Sequence, residues 1–156
     1  MRLHICAIGR IRTGPERELL DDYIARFDRT GRALALGPIT EHEIDERKAT
    51  GMAEQGRLIA QRLPLDAPIV MLDERGKTNS SRDFSRSLQE LRDRGTPDLA
   101  FVIGGADGIC ADLRARADML LSLGPMVWPH RLVRVMLCEQ LYRAATILAG
   151  GPYHRD

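Results

Sequence analysis

The last five residues, Pro152-Tyr153-His154-Arg155-Asp156, put a phenol, an imidazole, a guanidinium and a carboxylate on one short tail. Chain ends are usually loose and chemically unselective. A histidine can move a proton near neutral pH, and a tyrosine can donate a hydrogen bond or stack. An arginine can stabilise a developing negative charge or grip a phosphate. The tail follows Trp128-Pro129-His130-Arg131-Leu132-Val133-Arg134 and a long apolar stretch closed by Gly150-Gly151. On a helical wheel Val133, Leu137, Leu141, Ala144 and Leu148 make one apolar stripe. Arg134 falls inside that arc, beside Leu141. An arginine there needs a partner or a path to water, so it is a candidate for holding a ligand or a facing subunit, unless it only snorkels at the helix end. Glu139 and Arg143, four residues apart, read as a solvated pair on the far side.

Two further segments offer backbone rather than side chains. Ile103-Gly104-Gly105-Ala106-Asp107-Gly108 follows an apolar run, and its glycines let a ligand or another backbone come close. A tight turn without a ligand is the alternative. It is not GxGxxG and lacks the Lys-Ser/Thr of a phosphate loop. The second segment, Gly124-Pro125-Met126-Val127-Trp128-Pro129, is apolar, bracketed by prolines, and holds the only tryptophan. Loops are normally polar. This one is therefore expected to lie against another loop, a second subunit or a flat ring, or else to plug the core with Trp128. No G-x-S-x-G elbow exists for a serine hydrolase. The four histidines show no metal-ligand spacing, and His4 and His42 read as structural, so no metal is expected.

These residues need a scaffold. Residues 2–9 read as a strand. A helix begins at Pro15 and ends near Gly31, with Leu19, Leu20, Tyr23, Ile24 and Phe27 at helical spacing. Residues 33–44 read as a second strand interrupted at Gly37-Pro38, and 46–63 as a helix. Residues 68–73 and 99–103 are continuous apolar runs, as expected of strands buried on both faces. Ser80-x-x-Asp83 is a capping box for a helix that stops at Gly95. A short helix is expected over 110–117, a fifth strand over 119–123, and a last helix over 130–149. Alternating strands and helices give an α/β class, with a mainly parallel sheet sandwiched by helices, in one domain over 1–156. Ligands in such sheets bind at the carboxyl edge. The edge loops are 73–77, 104–108 and 124–129.

Composition narrows the class. The chain has 156 residues, 44% of them apolar and only 4% aromatic, so the core is aliphatic. No apolar run approaches the roughly 20 residues of a membrane span, and the start is too short and strand-like for a signal peptide. Cys6, Cys110 and Cys138 lack any CxxC spacing and read as buried free thiols in a reducing cytoplasm. Net charge is +1, so a broad nucleic-acid-coating surface is not expected. The basic residues are nearly all arginine, with Lys48 and Lys77 the exceptions.

Several residues together carry a specific resemblance. The strand end Leu72-Asp73-x-x-Gly76-Lys77, then Ile103-Gly104-Gly105-x-x-Gly108, then Ser122 through Pro129-His130 to Arg134, Glu139-Gln140-Leu141-Tyr142-Arg143-Ala144 and the terminal Tyr153-His154-Arg155 occur in the order found in the RlmH family. That family comprises SPOUT-class methyltransferases that modify N3 of a pseudouridine in 23S ribosomal RNA. The resemblance spans the whole chain. It implies an α/β-knot fold with a C-terminal trefoil knot, a homodimer, and S-adenosyl-L-methionine as cofactor. It further implies cofactor contacts at Leu72, Asp73, Gly105, Gly124, Pro125, Met126, Val127, Trp128 and Pro129. Candidate catalytic residues are His154, Arg155 and Tyr153, with His130 and Arg134. The partners would be 23S rRNA and the ribosome, in the cytoplasm, with no membrane and no metal. A non-catalytic RNA-binding or ribosome-assembly factor on the same fold is the alternative.

Overall fold

The computed structural model describes residues 1–154. Five strands, β1 (Arg2–Ile8), β2 (Ile39–Ile44), β3 (Ile69–Thr78), β4 (Asp98–Ile103) and β5 (Met119–Ser122), form one parallel sheet in the order β2-β1-β4-β3-β5. Helices α1 (Pro15–Gly31), α3 (Ser81–Asp93) and α5 (His130–Leu148) cover one face, and α2 (Gly51–Ala60) and α4 (Ala111–Arg114) the other. Successive strand side chains point to opposite faces. Leu3, Ile5 and Ala7 of β1 therefore join α1, α3 and α5, while Cys6 and Ile8 join α2 and α4. With both faces covered, β4 is buried at every position, which is why its sequence is an unbroken apolar run. Each fully buried aliphatic side chain contributes about 1.5–3 kcal/mol.

Local chemistry sets the element ends. Ser80 caps α3 by accepting from the Asp83 amide at 3.1 Å, and its hydroxyl donates to the Asp83 carboxylate at 2.7 Å. Cys6 and Cys138 are fully buried, and burial pushes both thiols up to about 12. Cys110 is half-buried, and all three are free.

The structure departs from the sequence expectation in four places. The strand expected over 33–44 is a 3-10 turn at Arg32–Leu34 and then β2 from Ile39 only. Ala35 and Gly37 take left-handed φ (54° and 95°), which no strand accommodates. The helix expected over 46–63 is a 3-10 turn, Glu46–Lys48, separated from α2 by Ala49 and Thr50. Asp45 accepts from the Arg47 amide and caps the short turn by itself. Strand β3 is longer than residues 68–73. After Leu72 it leaves β5 and rejoins it at Lys77, opposite Leu121. The returning backbone lies so close that a Cβ on Gly76 would sit 2.6 Å from the Leu120 carbonyl carbon. The helix expected over 110–117 is one turn, Ala111–Arg114.

Candidate functional site

Strands β1, β3, β4 and β5 are parallel, so their carboxyl ends open on the same edge. The loops leaving β3, β4 and β5 enclose a cleft of about 610 Å³ there, within the range of small-molecule sites. Leu72, Asp73, Gly105, Gly124, Met126, Val127, Trp128, Pro129 and His130 all line it; Pro125 does not. Met126 and Val127 are strongly exposed and Trp128 is 38% exposed, so the tryptophan stands at the rim instead of plugging the core.

Two side chains fix the loops. Ser122, buried at the end of β5, donates to the Gly124 carbonyl at 2.9 Å and accepts from the Gly124 amide at 3.1 Å. Gly124 itself has φ +121°, a conformation open to glycine alone, and nothing lies within 4 Å of where its Cβ would be. Beyond it, the amides of Met126, Val127 and Trp128 donate to no backbone or side-chain acceptor among the described residues. The Asp73 carboxylate pairs with Arg114 at 2.8 Å and accepts from the Arg75 amide at 2.9 Å. It shapes the turn after β3, and its charge is already matched.

Arg134 is buried to 1% exposure. Its guanidinium reaches Glu43 at 2.6 Å and the carbonyl of Gly9 at 2.8 Å, with a longer contact to Ile8 at 3.3 Å. Glu43 also accepts from the Ile11 amide at 2.8 Å. The partner that the apolar arc demanded is thus Glu43 of β2, with the carbonyls at the end of β1, within the same chain. The neighbouring Glu41 pairs with Arg17 at 2.7 Å. This network clamps α5 to the ends of β1 and β2, under the cleft. One turn earlier, the His130 ring rests on Gly9: its Nε2 is 3.4 Å from where a Cβ would be.

The tail sits elsewhere on α5. The Tyr153 hydroxyl donates to Glu139 at 3.1 Å, its ring lies 4.7 Å from that of Tyr142, and the Arg143 guanidinium lies 4.8 Å over it. The Arg143 Nη1 approaches His154 Nδ1 at 3.5 Å. Glu139 also accepts from Arg143 Nε at 2.9 Å. The Glu139–Arg143 pair is therefore not the solvated pair its spacing predicts: side-chain exposures are 17% and 26%, because the tail folds over it. Burial, a hydrogen bond to Tyr23 and the Glu139 carboxylate hold the Tyr153 phenol far above its ordinary range. Arg155 lies outside the described residues. His130 and Glu139 are nine residues apart, on opposite faces of α5 and about 13 Å apart along it.

A second cavity of about 550 Å³ lies between α1, α3 and α5. It shares Leu121, Leu123 and Gly124 with the cleft, and Glu139 and Gln140 are its only residues of α5 with polar side chains. Sequence reasoning missed Glu43 as the partner of Arg134, and Glu139–Arg143 as the seat of the tail. Glu41 and Glu43 alternate with His42 in a strand, and a buried arginine elsewhere was the one signal for them. No group of three or more metal-ligating side chains occurs among the described residues.

Residues 1–154 match the family model described as "Predicted SPOUT methyltransferase". The chain is 59% identical over 155 residues to the Ribosomal RNA large subunit methyltransferase H of Ruegeria sp. (strain TM1040), with 99% of each chain covered. It is 60% identical over 155 residues to the protein of the same name from Ruegeria pomeroyi, again over 99% of each. Among solved structures, a probable methylase family protein from Haemophilus influenzae Rd KW20 superimposes with a TM-score of 0.52 at 10% identity. That match covers 99% of this chain and 70% of the other, and is a likeness of fold.

Proposed function

The chain belongs to the SPOUT methyltransferase family, and on that premise we propose that it transfers a methyl group from S-adenosyl-L-methionine to N3 of a pseudouridine in 23S ribosomal RNA, on the assembled ribosome in the cytoplasm. The observation that carries this reading is the cleft at the carboxyl edge. Its residues fit the cofactor: an apolar wall of Leu72, Trp128 and Val133 for a flat ring, and a loop whose amides at Met126, Val127 and Trp128 await acceptors. When bound, the cofactor supplies an electrophilic methyl on a sulfonium and leaves as the neutral thioether. The loops' part is positioning, which contributes up to about 7–11 kcal/mol in ideal cases.

The acceptor side belongs to the tail. Methylation at N3 requires the ring's N–H proton to leave, so negative charge grows on the ring carbonyl oxygens. Tyr153 stays protonated, since its phenol is held above the usual range, and it positions the tail through Glu139. A guanidinium can only donate. His154 Nδ1 faces Arg143 at 3.5 Å, and the His154 ring is the part of the tail that meets the acceptor base. Arg155 stabilises the same charge, and the proton passes to water. His130 borders the cleft, and Arg134 acts through position, by tying α5 to the end of β1.

Tail and cleft occupy opposite faces of α5, so the reading includes a homodimer in which the tail of one protomer completes the cleft of its partner. Leu19 and Leu132 expose apolar surface on α1 and α5 for such a contact. The trefoil knot belongs to the same reading; Gly76 lets the chain pass the Leu120–Leu121 backbone at under 3 Å from a would-be Cβ. Calorimetry with S-adenosylhomocysteine tests the cofactor site. One site per chain, lost on deepening the loop chemistry with Gly124→Val, is expected. A protein with native thermal unfolding and no binding overturns the proposal in favour of a non-catalytic assembly factor.

A further inference from the structure

We propose that a basic rim beside the cleft, formed by Arg10, Arg12, Arg47, Lys48 and Arg131, carries the RNA backbone on either side of the acceptor base. This rests on the methyltransferase reading above and adds where the RNA lies. Ile8 of β1 pairs with Ile44 of β2, so the chain leaves both strands side by side. Residues 9–14 and 45–48 are therefore neighbours. Asp45 binds them together, with its carboxylate 3.7 Å from Arg10 Nη1 and 3.1 Å from Arg47 Nη2. The hydrogen-bonded Arg47 guanidinium holds Asp45 down to about 2, so this carboxylate is charged at neutral pH. One negative charge orients two guanidinium forks and cancels only one of them. Arg47 keeps 77% of its side chain exposed, and Arg12, Lys48 and Arg131 are exposed as well.

The rim borders the cleft directly. Gly9 carries the His130 ring, and Ile8 and Gln55 stand behind Gly105, with Ile8 Cγ2 3.1 Å and Gln55 Oε1 3.2 Å from its would-be Cβ. Arg131 extends the rim on the α5 side, next to His130. In residues 9–14, 45–48 and 129–131 there are five basic and two acidic side chains, in a chain whose whole net charge is +1. The rest of the surface is thus slightly acidic, and the field is focused where an RNA strand would enter. The chemistry favours RNA over a protein partner. None of the large exposed apolar side chains lies in residues 9–14 or 45–48, and protein interfaces are centred on such anchors. Arginine forks match phosphate oxygens bidentately.

The test is the salt dependence of ribosome binding at fixed magnesium, for the full-length protein and for Arg10→Gln/Arg12→Gln/Arg47→Gln. Each lost phosphate contact lowers the slope of log affinity against log salt by about 0.7–0.9, so the triple variant should lose about 2–3 from its slope and Arg12→Gln alone a little under 1. Calorimetric binding of S-adenosylhomocysteine should match the wild type in both, since none of the three lines the cleft. An unchanged slope overturns the inference. So does weaker affinity with an unchanged slope, which would mean that the rim meets a protein. Wild-type protein that binds the cofactor product but methylates no ribosome would instead overturn the catalytic reading.

Discussion

Replacing Arg134 by methionine should destabilise the protein by about 3 kcal/mol while leaving the fold intact. The guanidinium is 1% exposed and makes two short charged hydrogen bonds, to Glu43 at 2.6 Å and to the Gly9 carbonyl at 2.8 Å. Methionine fills most of the same channel, so packing loss is small. The cost comes from what is left behind. A buried carbonyl without its donor costs about 1–3 kcal/mol. Glu43 loses its cation, and breaking a buried pair costs about 3–5 kcal/mol when the remaining charge is sealed in. Here Glu43 keeps the Ile11 amide and is 24% exposed, which lowers that figure by about half. The Arg134 Nε is itself buried without a partner; removing it returns about 1 kcal/mol. For 156 residues, unfolding entropy near 2.1 cal/mol/K per residue converts 3 kcal/mol into a fall of about 9 °C in Tm. Scanning calorimetry at fixed protein concentration measures it. S-Adenosylhomocysteine should also bind more weakly, because Gly9 and His130 are no longer clamped. A Tm within about 2 °C of wild type, with methylation abolished, would refute a positioning role and make Arg134 a direct participant in the reaction.

Deleting residues 153–156 should leave cofactor binding unchanged and abolish methyl transfer; unaltered transfer would remove the tail from the mechanism. Trp128 is the only tryptophan and stands at the cleft rim, so its emission should shift when S-adenosylhomocysteine is titrated. Trp128→Ala should weaken binding by roughly 10-fold or more, as losing one good aromatic contact of about 1.4 kcal/mol implies, with little change in Tm. The buried thiols of Cys6 and Cys138 titrate at about 12 in the folded chain and near 8.5 when unfolded. The unfolded chain therefore loses protons first. The contribution of these two thiols is constant below about pH 8.5 and falls by about 3 kcal/mol per unit between pH 10 and 11. Urea denaturation of Cys6→Ala/Cys138→Ala should show most of that slope gone, with a remainder from the Tyr153 phenol, which is also raised.

The sheet was legible because strands buried on both faces read as unbroken apolar runs, as at Phe101 and its neighbours in β4. The edge loops were legible because glycine and proline have few other uses at strand ends. Gly124 shows why, since its φ excludes a side chain. Residues 33–38 misled because Ala35 takes a left-handed conformation that its residue type does not advertise. The return of β3 to β5 at Lys77 could not be foreseen either, as a strand that leaves its neighbour and rejoins it has no period of its own. At the site, the spacing of Arg134 signalled a buried charge but not its partner. Glu43 lies 91 residues away in the sequence, and such pairings follow from topology. Glu139 and Arg143 looked solvated because a helical wheel does not include a tail that folds back over the helix.

The most direct test of the central claim is methyl transfer itself. Ribosomes lacking methylation of the large-subunit RNA would be incubated with the protein and S-adenosyl-L-methionine carrying an isotopic methyl label. Nuclease digestion and mass spectrometry would then locate the label. The account predicts one methyl per ribosome, on N3 of a pseudouridine in 23S rRNA, with none on the protein-free RNA. A protein that binds S-adenosylhomocysteine yet leaves every nucleotide unlabelled would contradict it.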